Sequence, residues 1–280
     1  MISYEIFWAR MGRDVGVRVG VRVRDSMMIS QFDHEELRVY QSAIGFVAWL
    51  EEAAASITSK VSACGHLARA SAGVPVNIAE ASGKRSMNER RQYIDTAYGS
   101  SLECAACLDV LGILECLPAS TVHEGKGHLS TLVSMLIGFR KSTRREVHEE
   151  GVAYATAGSK GDRVWFDHEK LDVYRKALEF VAWCGRLRSG GCMPRSTSTS
   201  LDKASTGVAL NIAEGNGKFS MKDRCRFIGH ARTAALQATA TLDVLAVRHA
   251  KSTQDVTHGK GLLADAVRML VAWERSLEEE

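Results

Sequence analysis

VNIAEASGKRSMNER, running from Val76 to Arg90, returns 134 residues later as LNIAEGNGKFSMKDR, Leu210 to Arg224. The same offset aligns FDHEELRVYQSAIGFVAW from Phe32 with FDHEKLDVYRKALEFVAW from Phe166, and Gly125-Lys126-Gly127 with Gly259-Lys260-Gly261, without a gap. A repeat at a fixed offset sets the architecture before any local reading, and here it means two copies of one module. The 280 residues suit two domains, and 45% apolar with 25% charged residues is the balance of a globular chain. Only three prolines interrupt it, so long helices are allowed.

Working outward, apolar residues recur at spacings of three and four in four stretches of each copy. Leu37, Tyr40, Ile44 and Val47 mark a first helix that Asp33 would cap, with Leu171, Tyr174, Leu178 and Val181 as its counterpart. Leu67, Ala70, Val74 and Ile78 mark a second, which Pro75 should kink. Ile94, Ala97, Ser101, Cys104, Leu108 and Leu111 mark a third that Pro118 would end, and Leu129, Leu132, Leu136 and Phe139 a fourth. The expected fold is all-α, two tandem antiparallel four-helix bundles at 32–141 and 166–280. A linker at 142–165 joins them. Residues 1–31, with the alternating VGVRVGVRVR, are expected to be a disordered extension, and Met27 or Met28 is an alternative start.

The repeated stretch itself reads as a tight corner between the second and third helices. Gly83 and Gly217 would end one helix at positive φ, while Ser86 with Glu89, and Ser220 with Asp223, would open the next as capping boxes. Asn77 and Glu80, with Asn211 and Glu214, are expected to tie the corner by hydrogen bonds across the bundle; a ligand role is the alternative. Lys84, Arg85, Arg90 and Arg91, and in copy two Lys218, Lys222, Arg224 and Arg226, gather cations beside a helix start. Such a cluster is either a solvated helix terminus or a surface for nucleic-acid phosphates.

Enzymatic chemistry has no visible site, and no catalytic residue or cofactor is assigned: no G-x-S-x-G, H-E-x-x-H or phosphate-loop string occurs. Cys104 and Cys107 form a C-x-x-C, but they lie on the periodic face of a helix and become Ala238 and Thr241 in copy two, so buried thiols are expected and no metal. His34 and His168 read as helix-start residues. Seven cysteines without a framework spacing point to a reducing cytoplasm, and no stretch is long and apolar enough for a membrane span.

L-x-V-Y-x-x-A in the first helix followed by P-x-N-I-A-E-x-x-G-K-x-S at the corner resembles the bacterial four-helix bundle proteins encoded in intervening sequences of 23S ribosomal RNA genes. That family is similar to the accessory variability protein of diversity-generating retroelements, a five-fold ring. The resemblance implies RNA or DNA and a reverse transcriptase as partners. The functional expectation is a non-enzymatic binding or scaffold protein touching nucleic acid through Lys84, Arg85, Arg90, Arg91 and their counterparts. The alternative is a protein-interaction module that assembles through bundle faces. A low-order homo-oligomer, or a single chain whose copies pack on each other, is the expected assembly.

Overall fold

The computed structural model describes residues 32–55, 57, 61–143, 164–189, 193–248 and 251–278. The N-terminal extension and nearly all of the linker lie outside them. Eight α-helices fill the described residues: α1 Arg38–Ala54, α2 Ser62–Gly83, α3 Met87–Ile113, α4 Ala119–Ser142, α5 Asp172–Ser189, α6 Arg195–Asn216, α7 Met221–Val247 and α8 Thr253–Glu278. Among the same residues there is no strand, and no helix is long and apolar enough to cross a membrane.

Each set of four closes into an antiparallel bundle. In copy one α1 packs on α2 and α4, and α3 completes the ring against the same two; in copy two α5, α6, α8 and α7 repeat it. The stripe of the third helix is fully buried in both: Ile94, Ala97, Ser101, Cys104, Leu108 and Leu111 in α3, and Ile228, Ala231, Ala235, Ala238, Leu242 and Leu245 in α7. Small side chains in these stripes let neighbouring helices approach closely. Cys104 and Cys107 are buried in this core, and desolvation pushes their thiols well above the usual range.

Several local expectations give way to tertiary packing. Asp33 does not cap α1: Asp33–Glu36 forms a short 3-10 turn, as does Asp167–Lys170, and α1 begins only at Arg38. The face of α1 that is buried is Val39, Ala43, Phe46 and Leu50; the Leu37, Tyr40, Ile44 and Val47 stripe is half-exposed. Pro75 sits buried within α2 without ending it, and Pro118 is the N-cap of α4 rather than the end of α3. The α3–α4 turn uses Glu115 at φ 55°, with Cys116 N–H donating back to the Leu111 carbonyl at 2.8 Å.

The two bundles pack on each other, α3 of copy one lying across α5 and α6 of copy two, so one hydrophobic core is continuous through both. This joint decides which repeated residues are available for function.

Candidate functional site

The corner is built as a serine-capped turn in both copies. Ser86 Oγ accepts from Glu89 N–H at 3.5 Å and Ser220 Oγ from Asp223 N–H at 3.4 Å. Neither Gly83 nor Gly217 takes a positive φ; Gly217 has φ −81°. Asn77 and Asn211 do not reach across the bundle. Each donates to the carbonyl one turn back on its own helix, Gly73 and Gly207, at 2.7 Å. Glu80 and Glu214 turn to the lysine four residues on, Lys84 at 3.3 Å and Lys218 at 2.9 Å.

The predicted cations separate into two groups. Arg90 donates to the carbonyls of Ala81, Ser82 and Lys84, and Arg224 to that of Lys218, so these guanidiniums close the carbonyl end of the preceding helix. Arg91 reaches the end of α4 through Thr143, and Arg226 pairs with Asp223 at 3.1 Å. Lys84 lies over the Tyr93 ring and Lys218 over the Phe227 ring. Arg85 and Lys222 stand exposed on the corners, with no ion pair to another described residue.

Corner two, unlike corner one, is seated on the other copy. A Cβ on Gly217 would fall 2.0 Å from Leu102 Cδ1 and 3.0 Å from Tyr98, and one on Gly99 would fall 2.7 Å from Lys218 Nζ. Glycine serves close approach rather than φ at Gly217, where the obstacles are the buried Leu102 and Tyr98, whereas at Gly99 the obstacle is only the far end of Lys218. Phe219 tilts against Tyr98 at 5.2 Å and carries the Arg140 guanidinium 3.9 Å above its ring. A Cβ on Gly83 would meet nothing within 4 Å.

At the other end of the joint lies a buried polar cluster that the sequence reading missed. Lys126 Nζ is 2.6 Å from Asp109 Oδ1 in its own copy and 2.8 Å from Glu169 Oε1 in the other. Tyr174 donates its hydroxyl to Asp109 Oδ2 at 2.9 Å. His168 is fully buried, far more than a helix-start residue; it stacks on Phe166 and meets Tyr174 edge-on, and no described residue hydrogen-bonds to either ring nitrogen. Burial, then the Lys126 charge, push its pKa down to about 3, and burial raises that of Glu169. Asp109, His168 and Glu169 approach within 4.8 Å, a donor set that fits a cation, and the Lys126 ammonium is the cation that spans both carboxylates. A third contact crosses where Asp202 of α6 accepts from the first N–H of α2, Ser62, at 2.7 Å, so copy two caps a helix of copy one.

The sequence held one signal for this cluster. Asp109 and Lys126 recur at the same separation as Asp243 and Lys260, two charges on otherwise apolar helix faces. What it could not show is that the tyrosine and glutamate completing the cluster come from the other copy.

Comparison with known families finds a domain described as 23S rRNA-intervening sequence protein at residues 35–138 and again at 169–272. Comparison with curated proteins and with solved structures finds no match.

Proposed function

The chain belongs to the 23S rRNA-intervening sequence protein family and carries its helical domain twice, and from that premise we propose that it is a non-enzymatic scaffold working through its bundle faces. One observation carries this reading. The face of α3 that copy two covers, with Leu102 3% exposed, recurs on α7 with Leu236 58% exposed and Val244 beside it. A face built for contact inside the chain is thus offered outward a second time. Scattered exposed apolar residues are ordinary, but a stripe that repeats a packed interface marks an interaction surface. The test is a photo-crosslinking amino acid at position 236 in the cell that makes the protein. A protease-sensitive adduct is expected, and no adduct would remove the reading.

A second reading, contact with nucleic-acid phosphate, is supported by Arg85 and Lys222, exposed cations beside capped helix starts. Lys84, Arg90, Arg91, Lys218, Arg224 and Arg226 stay in this proposal as supporting charge, though each also has a structural partner. Fluorescence anisotropy with single-stranded RNA tests it. Arg85→Ala with Lys222→Ala should lower the slope of log affinity against log salt by roughly 0.7 for each phosphate that the protein no longer neutralises. An unchanged slope would remove the corners from the account.

A further inference from the structure

The joint between the copies is heterologous: copy two contributes its 3-10 turn, α5, α6 and corner, while copy one contributes α3, α4 and the start of α2. Because both copies derive from one module, the chain still carries the two unused halves. Copy one has the docking half, with Val76 60% exposed where its counterpart Leu210 is 4%. Ala68 and Ala72 beside it are exposed where Asp202 and Thr206 are buried. Copy two has the receiving half on α7, where Thr233, Leu236, Ala240 and Val244 are exposed while Gly99, Leu102, Ala106 and Val110 are buried.

We propose that a second copy of this chain docks its copy-one face onto the α7 face of the first, rebuilding the internal joint between chains. This rests on the scaffold reading above and names its partner. The centre of the joint is present in full: Asp243 and Lys260 are already paired on copy two, and Glu35 and Tyr40 stand on copy one where Glu169 and Tyr174 stand on copy two. Gly83 has open space where Gly217 receives Leu102, and the residue answering Leu102 is Leu236.

The rim has changed chemistry, and it has done so in matching pairs. Phe219 under Arg140 becomes Arg85 facing Glu274, and Leu114 against Gly185 becomes Arg248 facing Glu51. Arg232, in the place of Tyr98, already pairs with Glu274 at 2.6 Å and would share it with Arg85. Two unrelated substitutions that each place opposite charges across the same joint are charge complementarity between surfaces. Thr233 replaces Gly99, and the atom it would crowd is the far end of Lys84, the tip of a long flexible side chain. The joint within the chain is aromatic and apolar at its rim; the joint between chains is ionic.

The experiment is light scattering on the purified full chain across protein concentration and salt. Masses above the 30.6 kDa of one chain are expected to grow with concentration at low salt and to fall back at high salt. Val76→Glu blocks one half and Leu236→Glu the other, both at exposed positions, so helical content and melting should match the parent. Each variant alone should stay a single chain, and mixing the two should give a two-chain species and nothing larger, because only one joint remains available. A parent that is one chain at every concentration, or assembly indifferent to both variants, overturns the proposal. A crosslink from position 236 to a different protein, with the parent a single chain, would overturn it while leaving the scaffold reading in place.

Discussion

Lys126 and Lys260 hold the same place in the repeat, each between two glycines on the fourth helix of its bundle. The first is 8% exposed and spans two carboxylates from two copies; the second is 37% exposed and, among the described residues, pairs with Asp243 alone. The same contrast runs through His168 and His34, Tyr174 and Tyr40, and Gly217 and Gly83: the copy-two residue is enclosed at the joint, while His34 and Tyr40 are half-buried and Gly83 is exposed. Identical local sequence therefore carries different energetics depending only on whether the other copy covers it. A buried charge must be paired, whereas an exposed one is already served by water.

The comparison can be broken most forcefully at the lysines. Lys126→Met leaves Asp109 and Glu169 facing each other without a cation, and urea unfolding should show a loss of about 3–5 kcal/mol. In the single chain Lys260→Met should cost less than about 1 kcal/mol, because there its ion pair is exposed to solvent and salt. Equal losses would mean that the polar cluster contributes nothing through burial.

Next come the glycines. Gly217→Val forces a side chain into Leu102 and Tyr98 and should destabilise by about 1–3 kcal/mol, since the joint must open or repack. Gly83→Val in the single chain, where a Cβ meets nothing, should change stability by less than about 0.5 kcal/mol. A comparable loss at Gly83 would show that the corner needs glycine for its own geometry.

The smallest effect is a dependence on pH. The folded pKa of His168, near 3, lies below that of the unfolded chain, so the unfolded state binds the proton first and stability falls as pH drops from about 6.5 towards 3. Between pH 7 and 5.5 the loss should be about 1 kcal/mol. The raised pKa of Glu169 acts in the opposite sense, because its folded form takes up a proton before the unfolded one. Thermal melts of the parent and His168→Phe at the two pH values check this, the variant giving the flatter profile. An identical slope in both would assign the acid sensitivity elsewhere.

Legibility followed the range of the interactions. The stripes of the second, third and fourth helices and the serine caps were readable because they depend on neighbours three and four residues away. The first helix differs at its face: Leu37, Tyr40 and Ile44 are half-exposed, whereas Tyr174, the counterpart of Tyr40, is buried against Asp109 of the other copy, and periodicity cannot distinguish an apolar face that fills a bundle from one that seals a joint. Arg90 and Arg224 looked like available charge because their carbonyl partners, on the preceding helix end, carry no side-chain signal. Gly217 was legible as a special position, but for the wrong reason, since its neighbour Leu102 is distant in sequence.

The capping of α2 by Asp202 has a consequence for how the molecule tolerates change. A helix whose first N–H is closed by a residue 140 positions away is not a finished part of its own bundle. Copy one has therefore surrendered a little of its autonomy to copy two, and Ala68, the counterpart of Asp202, gives nothing back. The duplication is no longer a pair of interchangeable modules: Asp202 closes a helix of the other copy that its counterpart, the alanine at 68, has no side-chain oxygen to close.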